Sequence, residues 1–228
     1  MAGSPRYWIA FGDVHGHVRN LKHIPELPGA AGVIVSGDLT VRGGVTEARR
    51  VIDAVRAFNP LVLAQIGNMD HESVQEWLDG RGMGIHARTV ELAPGLGLMG
   101  VGWSGPTPFG TPSEVPDGQL AEWLEMAHDM ARGFERLVLV SHTPPYGTKT
   151  DVTGSGAHVG SRAVRDFIEK TQPEVCITGH IHEARSVDAI GRTMVINPGE
   201  LAAGGYARLD FDGAELRAEL KSIGGARK

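Results

Sequence analysis

The chain has 228 residues, 41% of them hydrophobic and 21% charged, which is the composition of a folded globular protein rather than a disordered or fibrous one. A chain this long buries roughly 70% of its unfolded surface and needs no cross-links to fold. Twenty-two Lys and Arg against 27 Asp and Glu leave a net charge of −5, without the basic footprint of a protein that grips duplex nucleic acid. The single cysteine, Cys176, rules out an internal disulfide and points to a reducing compartment, so a cytoplasmic protein is expected. Met1 to Pro5 carry no positive region followed by an apolar stretch, and no segment reads as a leader or a membrane span. No linker or change of composition divides residues 1–228, which are read as one domain.

In chain order, the apolar runs Tyr7–Phe11, Val33–Val35, Leu61–Ile66, Leu137–Val140 and Val175–Ile177 predict strands. They lack a two-residue alternation and so read as buried on both faces. Helical spacing appears at Val45, Ala48, Ile52 and Val55, at Leu120, Trp123, Leu124 and Ala127, and at Val164, Phe167 and Ile168. Strand alternating with helix predicts an α/β fold. Residues 85–101 read as two strands joined through Pro94-Gly95. The segments Arg185–Ala189, Thr193–Ile196, Gly205–Phe211 and Glu215–Leu220 read as a β-meander turning at Gly191-Arg192 and Asp212-Gly213. So many strands exceed one doubly wound sheet, and two sheets packed face to face with helices outside would hold them. The loops 102–118 and 143–160 are long enough to be functional rims.

Five segments stand at the carboxyl ends of predicted strands: Gly12-Asp13-Val14-His15-Gly16, Ser36-Gly37-Asp38, Gly67-Asn68-Met69-Asp70, Ser141-His142-Thr143 and Thr178-Gly179-His180-Ile181-His182. Such ends gather at one edge of an α/β sheet, where ligands bind. Extended backbone sends Asp13 and His15 the same way, and likewise His180 and His182. Together they offer two carboxylates, one amide oxygen and four imidazoles. That is too many ligands for one zinc and suits two divalent ions sharing a carboxylate. A His-x-His pair alone carries little information; five blocks in order, each after a strand, carry much more.

This order, Asp-x-His, Gly-Asp, Gly-Asn, His, Gly-His-x-His, resembles the calcineurin-like metallophosphoesterase superfamily from about Phe11 to Gly199. The resemblance implies a four-layer α-β-β-α sandwich of two mixed sheets flanked by helices. It also implies one metal held by Asp13, His15, Asp38 and His182, and a second held by Asp38, Asn68, His142 and His180, with Asp38 bridging. Manganese, iron, zinc and nickel all suit such mixed N/O ligands. Two ions about 3.5–4 Å apart supply a bridging hydroxide for in-line attack on a phosphoester and neutralise the charge that develops.

Many members of the superfamily have a histidine directly after the metal-binding asparagine, where it assists the leaving group. Here that position is Met69, which transfers no proton. A branch of small prokaryotic phosphodiesterases is similar in this respect, and the resemblance then implies a small diester substrate rather than a monoester. His17 and His71 are the candidates for a replacement acid, though each also reads as a surface residue. The alternative reading is a non-catalytic scaffold, as in one subunit of the eukaryotic retromer complex, which resembles a metallophosphoesterase turned into an interaction surface.

Of the other notable residues, Asp70 reads as an N-cap of a helix over Ser73–Leu78. His23, His86 and His128 read as structural, and Cys176 as apolar filler. His158 sits in a glycine-rich loop suited to oxyanion binding or to a lid. Trp103 and Phe109 read as rim packing or as platforms for a nucleobase.

Overall fold

The computed structural model describes residues 6–224; the Met1–Pro5 stretch, read above for a leader, lies outside them. The strands are β1 (Arg6–Phe11), β2 (Gly32–Val35), β3 (Val62–Ala64), β4 (Arg88–Ala93), β5 (Leu96–Val101), β6 (Arg136–Ser141), β7 (Val175–Ile177), β8 (Ser186–Ile190), β9 (Thr193–Asn197), β10 (Gly205–Phe211) and β11 (Leu216–Ser222). The helices are α1 (Val45–Arg56), α2 (Glu72–Asp79), α3 (Asp117–Met130) and α4 (Arg162–Thr171). Among the described residues no helix is long and apolar enough to cross a membrane.

Two mixed sheets result, of order β11-β10-β1-β2-β3 and β4-β5-β6-β7-β9-β8. Strand β1 shows why its sequence lacks a polar face. Trp8 and Ala10 point between the sheets and join Ile34, Leu98, Val140, Ile177 and Leu209 in the central core. Ile9 and Phe11 point the other way, onto Val51, Ile52 and Val55 of α1 and Val74 and Leu78 of α2. On the far side, Met99, Leu139, Cys176 and Val195 pack against α3 and α4. The four layers are therefore α-β-β-α, as the surplus of strands implied. Cys176 is buried in the outermost of these cores, and burial pushes its thiol up to about 12, where it is inert filler.

The C-terminal strands do not form one meander. β8 and β9 form an antiparallel hairpin whose second strand runs parallel to β7, whereas β10 and β11 form a hairpin on β1 in the other sheet. The turns at Gly191 and Gly213 fall where expected, with positive φ. Between the hairpins, residues 198–204 carry the chain from one sheet to the other.

Strands β1, β2 and β3 are mutually parallel in one sheet, as are β6 and β7 in the other. Their carboxyl ends open on the same edge of the sandwich, so one site draws residues from both sheets.

Candidate metal centre

The loops leaving β1 and β2 run side by side beyond the strands. Asp13 N donates to Gly37 O (3.0 Å), Val14 N and His15 N donate to Asp38 O (2.8 and 3.0 Å), and Gly16 N donates to Leu39 O (2.9 Å). This pairing holds Asp13, His15 and Asp38 in the left-handed region, with φ of 48°, 47° and 52°, and His180 is there too at 69°. Non-glycine residues seldom adopt that backbone, and runs of it cluster at functional sites. Gly67 admits a close approach: a Cβ there would overlap Asp38 Oδ1 and the His142 ring.

All seven expected ligands meet at this edge. His15 Nδ1 donates to Thr40 O (3.0 Å), which turns Nε2 toward His182 Nε2 at 3.1 Å and Asp38 Oδ2 at 3.7 Å. His142 Nδ1 donates to Ser36 O (3.2 Å), which turns its Nε2 toward Asn68 Oδ1 at 3.0 Å and Asp38 Oδ1 at 3.5 Å. His180 Nδ1 lies 2.8 Å from the same Asn68 oxygen, and its backbone N donates to Asp13. His182 Nε2 stands 3.4 Å from Asp13 Oδ1, with its Nδ1 3.8 Å from Glu200. Backbone carbonyls that fix a tautomer and aim the other ring nitrogen inward are the supports found behind metal-binding histidines.

The donor chemistry fits a cation. Asp13, His15 and His182 each offer an atom within 4.8 Å of the others, and so do Asp13, Asp38 and His142. Asp13 thus belongs to both groups, while Asp38 also reaches His15 on one side and His142 on the other. Burial pushes the Asp13 carboxyl up, but the hydrogen bond from His182 and the charges of His142, His182 and His15 outweigh it and hold Asp13 at about 2. Burial pulls His142 down, and Asp38, Asp13 and Asp70 more than offset that, raising it to about 9. A proton held there by carboxylates is one that a divalent ion displaces. His180 is pulled down to about 4 by burial and by the charge of His142.

Asn68 is held by a brace that the sequence reading did not include. Its Nδ2 donates to Thr111 Oγ1 (3.0 Å), and that hydroxyl donates to Glu114 Oε1 (2.5 Å), which also accepts from Thr111 N (2.7 Å) and Thr107 Oγ1 (2.6 Å). With its proton committed to the carboxylate, Thr111 Oγ1 can only accept from Asn68, which turns the amide oxygen toward the two imidazoles. The spacing Thr111-x-x-Glu114 is a capping-box signal that could have marked the pair.

Asp70 does not cap α2; His71 takes that position and makes no side-chain bond there. Buried Asp70 instead accepts from Leu39 N (3.0 Å), Thr40 N (2.8 Å), Thr40 Oγ1 (2.8 Å) and Gly67 N (3.2 Å), tying the β2 loop to the β3 loop. Burial and the nearby Asp38 raise it to about 7.

A cleft of about 870 Å³ opens over these side chains, lined by Arg42, Met69, Phe109, Thr111, Val159 and Glu183 among others. His17 and His71 are both exposed and neither lines it. Trp103 is buried against His86 and Trp123 and presents no face to a ligand, whereas Phe109 stands at the mouth. His158 does not lead a loose lid: its Nδ1 lies 2.6 Å from buried Asp151, which also accepts from Gly147 N, Thr148 N and Gly160 N (3.0 Å each).

Comparison with known proteins agrees with this architecture. The family described as metallophosphoesterase, calcineurin superfamily, matches residues 124–220. The Methanocaldococcus jannaschii protein MJ1162 is 31% identical over 198 residues, spanning 83% of this chain and 86% of that protein. The fold is also that of the TT1561 protein of Thermus thermophilus (TM-score 0.69, 17% identity, 96% of this chain and 100% of that one). A dimetal phosphatase from Danio rerio shares it as well (TM-score 0.59, 12% identity, 96% and 99%). The chain belongs to the calcineurin superfamily of metallophosphoesterases.

Proposed function

We propose that the protein is a metal-dependent phosphoester hydrolase that prefers diesters, with Asp13, His15, Asp38 and His182 holding one divalent ion and Asp38, Asn68, His142 and His180 a second. The observation that carries this reading is the convergence of those seven side chains from two sheets, with backbone carbonyls aiming His15 Nε2 and His142 Nε2 inward. Bound divalent ions supply an activated water near neutral pH and neutralise the charge of a phosphoester. The chain's own groups orient and exclude. Asp38 is fixed by Met69 N, which donates to its Oδ1 (2.8 Å), and Asp70 keeps the β2 and β3 loops in register.

Met69 stands beside the ligands where a proton donor would serve a poor leaving group, and among the described residues the cleft holds no acid other than the ligand set and Glu183. Diesters and activated aryl esters tolerate that deficit better than alkyl monoesters, which favours the diester preference. The test is hydrolysis of bis(p-nitrophenyl) phosphate against p-nitrophenyl phosphate by protein stripped of metal and reloaded with manganese, iron, zinc or nickel in turn, with metal content measured. Manganese-dependent turnover of the diester, abolished in Asp38→Asn together with metal content, is expected. A fully loaded protein without turnover on either ester would make this chain a scaffold.

A further inference from the structure

Phe109 is the most exposed large apolar side chain among the described residues, at 76%, yet the backbone carrying it is not loose. Its N donates to Thr107 Oγ1 (3.2 Å), its carbonyl accepts from Arg42 Nη2 (2.9 Å), and Pro106 and Pro108 restrict the residues before it. Glu114 gathers the same loop through Thr107 and Thr111. The ring is therefore presented at the mouth of the cleft by a braced loop. Across the cleft, the segment pinned by Asp151 contributes Ala157 and Val159, the latter also 45% exposed.

Arg42 is the one arginine or lysine lining this cleft among the described residues. It spends a single donor on Phe109 O, which leaves the rest of its guanidinium for an anion or a polar ring edge. A volume of about 870 Å³ is that of a pocket enclosing a whole small organic ligand, so it accommodates the ester's organic group as well as its phosphate. A site for an anionic phosphate with a flat apolar face and one cation beside it suits a nucleotide ester better than a simple alkyl phosphate.

We propose that Phe109, with Arg42 beside it, is a specificity element that stacks a planar ring, and that the cleft selects phosphoesters whose retained group is a nucleoside. The proposal rests on the phosphoesterase reading for its chemistry, while Phe109 and Arg42 are not themselves among the proposed metal ligands.

The test compares two diesters with the same p-nitrophenolate leaving group, the thymidine 5′-ester and the methyl ester of p-nitrophenyl phosphate. Stacking of one base predicts that kcat/KM for the thymidine ester exceeds that for the methyl ester by about tenfold or more. Phe109→Ala should reduce the ratio by about tenfold, and Phe109→Trp should retain it. A ratio near one in the wild type, or one unchanged in Phe109→Ala, overturns the proposal. If neither diester is hydrolysed, the phosphoesterase reading falls, and equilibrium binding of thymidine 5′-monophosphate against methyl phosphate decides the stacking element separately. Tighter nucleotide binding that Phe109→Ala removes supports it; equal binding of the two overturns it.

Discussion

Thr111→Val keeps the shape of the side chain while removing the atom that accepts from Asn68 Nδ2 and donates to Glu114. Asn68 is only 4% exposed, so water does not readily replace the lost acceptor. The amide then loses the interaction that turns its oxygen toward His142 Nε2 and His180 Nδ1. Partners that orient a metal ligand are worth about 10- to 100-fold in metal affinity, so one divalent ion should bind more weakly by about 1.4–2.7 kcal/mol. Calorimetric titration of stripped protein with manganese resolves that change, and Thr111→Ser, which keeps the hydroxyl, should bind within about threefold of wild type. Equal affinities for the valine variant and the wild type, or a serine variant as weak as valine, would refute the bracing role.

Gly67→Ala places a methyl group against Asp38 Oδ1 and the His142 ring, so it should cost about 2 kcal/mol of stability through overpacking and remove most metal binding, read by denaturant melts and metal analysis. Met69→His restores a proton donor beside the proposed ligands and should raise turnover of an alkyl monoester such as glycerol 2-phosphate relative to bis(p-nitrophenyl) phosphate by about 10²-fold, the usual range for general acid catalysis; an unchanged ratio refutes the role assigned to Met69. Burial, aided by the charge of Arg88, lowers His86 from 6.5 to about 3, so the unfolded chain binds its proton more readily than the native state does. Its contribution is intact above pH 6.5 and is lost as the pH falls toward 3, at about 1.4 kcal/mol per unit. His86→Phe, which keeps an aromatic ring beside Trp103 and Trp123, should remove that component from the pH dependence of stability measured by denaturant unfolding.

The convergence of the seven proposed ligands was legible because it is local. Each ligand stands within a few residues of a strand end, and apolar runs reveal strand ends. What supports the ligands is not local. Asp70 looks like a helix cap from its place before α2, and only the packing of the β2 and β3 loops shows that Leu39, Thr40 and Gly67 claim its oxygens. The turns at Gly191 and Gly213 read as joints of one meander, and nothing in the local sequence told which sheet each pair of strands would join. Trp103 offered a large ring in a loop, and the cluster that buries it, His86 and Trp123, comes from two distant segments.

The left-handed backbone at Asp13, His15, Asp38 and His180 has a bearing on descent. Glycine at these places would relax the main chain, so a relative that no longer needs these side chains can gain stability by drifting toward it. The same dihedrals in a relative bearing glycine there would be the imprint of a retired site.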